Sequence, residues 1–159
     1  MKKLIFITAI IIAGLLQATV LNYISIFNVK PDLLLSCAVI ASLIFSAPWA
    51  VFFSIFSGIL QDILSVNAFG IHTILFALWS ILIIKLSRKI SFDNDYMKIA
   101  LLAAVVLFNN IIIRLVFLFL NNFISWGIFL RITFIDSLYT VLIFPLILKF
   151  ARSLSLINE

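Results

Sequence analysis

An all-α integral membrane protein of six transmembrane helices is the fold class this sequence predicts, and three observations carry the prediction. Of the 159 residues 65% are hydrophobic and 11% charged, with a mean hydropathy of +1.34; soluble domains are about half apolar and about a quarter charged. The apolar residues form runs that approach or exceed the ~20 residues needed to cross a hydrocarbon core of ~30 Å. The basic residues gather at the ends of those runs, where they set membrane topology. These observations exclude a soluble globule and leave no length for a separate soluble domain. The net charge of +5 therefore reads as orientation and not as affinity for nucleic acid. Cys37, the single cysteine, lies inside an apolar run and can form no intramolecular disulfide.

Six spans are expected, at about 4–24, 31–47, 48–66, 70–86, 98–120 and 128–150. The stretch 33–66 is too long for one helix and just long enough for two. The split falls at Ser46 to Trp49, because proline suits the first turn of a helix but not its interior and so Pro48 opens the third span. The second span is short, and at ~1.5 Å per residue it crosses only if it runs from Pro31 to about Ala47. With the N-terminus inside, Lys2, Lys3, Lys85, Arg88, Lys89, Lys98, Lys149 and Arg152 are cytoplasmic and only Lys30 and Arg131 are outside. That asymmetry demands an even number of spans between Lys3 and Lys85 and returns the C-terminus to the cytoplasm. Lys2 and Lys3 before an apolar run also resemble the start of a signal peptide. The run exceeds the roughly 7–15 residues of a signal core, and Gln17, Asn22 and Tyr23 make no small-residue cleavage site, so a retained span is expected.

Polar residues inside the spans are the candidate functional groups, since ionisable side chains in hydrocarbon face the protein interior or a cavity. Arg114 and Asp136 fall at matching depths, roughly 10 Å below the outer surface at ~1.5 Å per residue, on consecutive antiparallel helices. An ion pair between them is expected. Asp62 and Gln17 sit at a similar level, so Gln17, Asp62, Arg114 and Asp136 form a candidate intramembrane polar cluster. It either fixes helix register or lines a cavity for a ligand or partner. Asn109 and Asn110 are adjacent and point ~100° apart, so at least one should face another helix.

Small residues recur at helical spacing: Ala50, Ser54, Ser57 and Gly58 in the third span, and Ala9 with Ala13 and Gly14 with Ala18 in the first. They permit close helix packing. Pro31 and Asp32 suit a helix start, and Asp62 and Gly70 bracket a tight turn around Ser65 to Asn67. His72, the only histidine, has no companion His or Cys, so no metal site is expected. No Ser, His and acid arrangement is recognisable. An Asp62 and Asp136 dyad of the intramembrane protease type lacks the flanking glycines and tyrosine of such enzymes, so neither catalysis nor a cofactor is expected.

The segments KPDLLLS (Lys30 to Ser36), SGILQDILSVNAFGIHT (Ser57 to Thr73) and FPLILKFAR (Phe144 to Arg152), in this order and spacing, resemble the rod shape-determining MreD family over nearly the whole chain. The positions that carry the resemblance are Pro31, Asp32, Gly58, Asp62, Gly70 and Pro145. It implies a non-enzymatic component of the bacterial inner membrane that acts with MreC, the MreB filament, RodA and a class B penicillin-binding transpeptidase in lateral cell-wall synthesis. It also implies a fold like that of the substrate-binding subunits of energy-coupling factor transporters. That likeness supplies the alternative, a vitamin or metal-ion capture subunit with the polar cluster as pocket and Ala9 with Ala13 as a docking motif; the short outer loops and scarce orienting groups count against it. On the MreD reading, Asp32, Asp62 and Gly70 shape the outer end where MreC docks. The cytoplasmic segment with Arg88, Lys89 and Lys98 contacts membrane lipids or MreB.

Overall fold

A computed structural model describes residues 2–19, 30–65, 70–90, 92, 94–119 and 126–153. Within them the chain forms α1 (Lys2–Ala18), α2 (Leu33–Ile44), α3 (Ala47–Leu64), α4 (Ile71–Ser87), α5 (Asp95–Phe119) and α6 (Trp126–Ser153), with no strands among the described residues. The expected span ends at residues 24, 66 and 120, most of the turn at Ser65 to Asn67 and the side chain of Arg131 lie outside them.

Among the described residues three helices hold windows long and apolar enough to cross a membrane: Ala47–Leu64 in α3, Asp95–Val116 in α5 and Thr133–Ser153 in α6. Helices α2 and α4 are shorter and apolar. The break between α2 and α3 falls at Phe45 and Ser46, both extended, and Pro48 lies in the first turn of α3. Proline has no N–H to lose there, so it starts the helix at no hydrogen-bonding cost. Helix α2 thus covers 12 residues, about 18 Å, less than the expected 31–47.

Helix α2 is the centre of the bundle. Every residue from Leu34 to Ser42 is buried, and α1, α3, α4, α5 and α6 all contact it. Its sequence, LLLSCAVIASLI, is apolar on every face, as a helix enclosed by other helices requires. The surrounding helices instead direct large side chains such as Leu4, Phe52, Leu78, Phe108, Leu138 and Leu146 outward. In water that surface would be untenable, and in lipid it is the expected exterior.

The helices alternate in direction, which gives the bundle two distinct ends. At the basic end the rings of Phe6, Phe45 and Phe53 form a triangle with centroids 5.0, 5.1 and 4.9 Å apart. There too the Lys3 ammonium stands 3.8 Å from the centre of the Trp49 ring. Each such contact adds about 1 kcal/mol to apolar burial and ties the start of α1 to the α2–α3 turn. The same end carries Arg88 and Lys89 after α4, both exposed. Asp95 pairs with Arg152 and, at 3.6 Å, with Lys98, joining α5 to the end of α6. Pro145 is exposed within α6, which continues through it.

The tightest helix contact is α3 against α4. Ala50, Ser54, Ser57 and Gly58 are all buried, and a methyl group on Gly58 would lie 2.5 Å from Thr73 Cα and 3.0 Å from both Thr73 N and the His72 carbonyl oxygen. Those are backbone atoms, which cannot swing aside. Gly70 has a different requirement: its φ is +94° with open space around it, a left-handed conformation that penalises any Cβ. Gly58→Ala should therefore destabilise the purified protein by about 2–3 kcal/mol through overpacking, and Gly70→Ala by about 1–2 kcal/mol through backbone strain alone. Thermal unfolding in detergent measures both, and a Gly58→Ala loss below that of Gly70→Ala would contradict the close contact.

Candidate functional site: the capped end of the bundle

A helix that begins inside a protein in lipid presents N–H groups that neither water nor its own turns can satisfy. At the end opposite the basic one, α2 begins in buried surroundings and α4 in half-buried ones, and side chains, most of them from other segments, supply the acceptors.

Helix α4 starts at Gly70, whose lack of a side chain leaves the first turn uncapped from within. Asp62, 2% exposed near the end of α3, accepts the backbone N–H of His72 at 3.0 Å through Oδ1 and that of Thr73 at 3.0 Å through Oδ2. The Thr73 hydroxyl also donates to Oδ2. The carboxylate thus occupies the N-cap position in trans, at the positive end of the helix dipole. Gly58, one turn before Asp62, lets α3 come close enough for it to reach. The family-motif positions Gly58, Asp62 and Gly70 are therefore three parts of one joint.

Helix α2 starts at Asp32, which follows the buried Pro31 and caps its own helix by accepting the Leu35 N–H at 2.9 Å. The Leu34 N–H donates to Gln17 Oε1 of α1 at 3.3 Å, and Gln17 Nε2 donates to Gln61 Oε1 of α3 at 3.0 Å. From α6, Thr140 Oγ1 accepts the Asp32 N–H at 3.0 Å while facing Asp136 Oδ1 at 3.5 Å. The buried start of α2 is thereby held by α1 and α6 at once.

The four residues expected as one cluster divide into separate bonding sets. Gln17 belongs to the α2 cap and Asp62 to the α4 cap; among the described residues neither bonds to Arg114 or Asp136. The expected Arg114–Asp136 ion pair is not formed within 4 Å. The two charges still interact electrostatically, but Asp136 is turned toward Thr140, which lies one helical turn on and faces α2. The depth estimate matched the two residues along the membrane normal, and depth says nothing about azimuth. Arg114 is half-buried, and its Nε–H has no hydrogen-bond partner. Asn109 and Asn110 both face other helices: Trp79 Nε1 donates to Asn109 Oδ1 at 3.2 Å, and Asn110 Nδ2 to Ser137 Oγ at 3.4 Å.

Thr140, Gln61 and Thr73 are the members that sequence reasoning missed. Thr140 sits four residues after Asp136, the spacing of one helix face, and that signal was available. Of the expected basic contact residues, Arg88 and Lys89 are exposed while Lys98 is turned to Asp95. No group of three or more His, Cys, Asp or Glu that could hold a metal occurs among the described residues.

A helical bundle with a lipid-adapted exterior, whose buried Asp32 and Asp62 cap its own helices, defines a membrane protein. Residues 1–154 match the family model for the rod shape-determining protein MreD. The chain belongs to the MreD family, a non-catalytic family with a role in rod shape determination. None of the curated proteins and none of the solved structures compared with it is significantly similar.

Asp62→Ala should cost about 2–4 kcal/mol, because it orphans two buried backbone donors and a hydroxyl. Asp62→Asn, which keeps one acceptor oxygen, should lose about half as much. Chemical unfolding in mixed micelles compares them, and equal losses for the two would contradict capping through both oxygens.

Proposed function

We propose that this chain is a non-enzymatic assembly component of the bacterial cell-elongation complex, spanning the inner membrane six times with both termini cytoplasmic. The family match over residues 1–154 supports the role in rod shape, and the asymmetry of Lys and Arg supports the orientation. In that orientation the capped end faces outward. Arg88 and Lys89 then meet anionic headgroups of the cytoplasmic leaflet, where each basic residue contributes about 1 kcal/mol, and the MreB filament lies on the same side.

Arg114 is the observation that carries the docking site. The caps at α2 and α4 consume Asp32, Asp62, Gln17 and Thr140, whereas the guanidinium of Arg114 remains half-buried with an unpartnered Nε–H. A buried, unsatisfied donor on a cation is costly in a low-dielectric setting, and a carboxylate or carbonyl from a partner segment removes that cost. MreC is the partner proposed to supply it; RodA and the class B transpeptidase join through the assembled pair. The vitamin-capture alternative has less support, because Gln17 and Asp62, two of the four groups that would orient a substrate, are engaged in caps.

Arg114→Leu should lower co-purification of MreC with the tagged chain by about ten- to a hundredfold, the loss of one charge-assisted contact of roughly 1.5–3 kcal/mol, and produce rounded cells. Its unfolding midpoint should fall by less than that of Asp62→Ala, since the Arg114 Nε–H has no partner to lose and the guanidinium acts on Asp136 only through its field. Undiminished MreC recovery with normal cell shape would contradict the assignment.

A further inference from the structure

Helices α1 and α6 both rest on α2 but do not pack against each other among the described residues. Between them runs an open apolar groove of about 270 Å³. Its α1 wall is small, with Ala9 and Ala13, and its α6 wall is large, with Ile143, Ile147 and Phe150. Hollows on one helix thus face knobs on the other, the relation by which packed helices interlock.

Pro145 lies within the α6 wall, inside a helix that continues through it. It offers no N–H to the Val141 carbonyl and its ring crowds that carbonyl, so the helix is weakest there and bends away from the ring. Helix periodicity fixes the direction of that bend. At about 100° per residue, Ile143, Ile147 and Phe150 all lie within roughly 40° of the point opposite Pro145. Pro145 itself is exposed. A bend at Pro145 therefore carries the end of α6 toward α1 and into the groove.

Polar contacts divide α6 at the same place. Before Pro145, Thr140 accepts the Asp32 N–H at 3.0 Å and Ser137 accepts from Asn110 at 3.4 Å, which pins this half to α2 and α5. Beyond Pro145, Leu148 and Ala151 are buried, and Arg152 pairs with Asp95 of α5. Arg152 lies about 20° from Pro145 around the helix, so this pair draws the end of α6 away from the groove. Its side chains are 39% and 40% exposed, and an ion pair so exposed to solvent gives way easily.

We propose that the segment of α6 after Pro145 is a hinged arm that closes onto α1, seating Ile147 and Phe150 against Ala9 and Ala13, and that the Asp95–Arg152 pair holds it open. Neither docking at Arg114 nor the identity of any protein partner is needed for it. The eight residues beyond the hinge span about 12 Å, so a bend of ~20° moves the end of α6 by about 4 Å.

Pulsed electron spin resonance on the full chain in lipid nanodiscs measures closure, with Cys37→Ser to remove the native thiol and spin labels at the exposed Leu4 and Ser153. Two distances about 4 Å apart are expected. Labels at Leu15 and Leu138, both exposed and both on the pinned side of the hinge, should give one. Asp95→Ala should raise the ratio of short to long distance by about two- to fivefold. Pro145→Ala, which restores the missing helix bond, and Ala13→Phe, which fills the groove, should each leave only the long distance. A single distance unmoved by Asp95→Ala overturns the proposal, as does a short distance that persists in Pro145→Ala or Ala13→Phe. A shift of the Leu15–Leu138 pair in step with the first also overturns it, since the pivot would then lie elsewhere. So does a lengthening in Asp95→Ala, which entry of another helix between α1 and α6 would produce.

Discussion

Helix α2 of this bundle begins buried and α4 begins half-buried, and the need to satisfy their first N–H groups organises the capped end. In hydrocarbon an unbonded backbone donor costs several kcal/mol, so α2 and α4 can start where they do only if acceptors are brought to them. Asp62 crosses from α3 to α4, Gln17 reaches from α1 to α2, and Thr140 meets Asp32 from α6. Each cap also joins two helices. Burial of α2 on every side follows from this, because a helix whose N-terminus is satisfied by its neighbours needs no exposed end.

The other elements sit around that arrangement. Gly58 brings α3 within reach of α4, and the aromatic triangle of Phe6, Phe45 and Phe53 closes the opposite end of α2. Hydroxyls of Ser42 and Ser80, 2.9 Å apart, link α2 to α4 midway. Helices α5 and α6 attach more lightly to the remainder, through Trp79 with Asn109, the contacts of α6 with α2, and the Asp95 pairs at the basic end. A gap is left between α1 and α6, since both rest on α2 and do not pack on each other among the described residues.

Much of the fold was legible in the sequence because its signals are local. Apolar runs of spanning length, Pro48 at a helix start, and the small-residue series ending at Gly58 each report on a few consecutive residues. The site was less legible because its chemistry is relational. Asp62 reads as an intramembrane charge in want of a partner, but its partners are two backbone amides ten and eleven residues on, and a backbone amide has no letter in the sequence. Depth could be counted for Arg114 and Asp136, whereas the rotation of α6 that turns Asp136 toward α2 depends on packing around Thr140. Asp32 was readable as a cap, since Pro-Asp before an apolar run is a helix start wherever it occurs.

The family has a role in rod shape determination, and inside the bundle Asp32, Asp62, Gln17 and Thr140 hold the bundle itself. The central claim is that the acids of the capped end serve as caps for buried helices. Hydrogen exchange at the amides of Leu34, Leu35, His72 and Thr73, read residue by residue in lipid nanodiscs, tests it most directly. The account predicts that these four first-turn amides are protected as strongly as amides in the middle of α2. Exchange as fast as that of an uncapped, solvated helix start would contradict it.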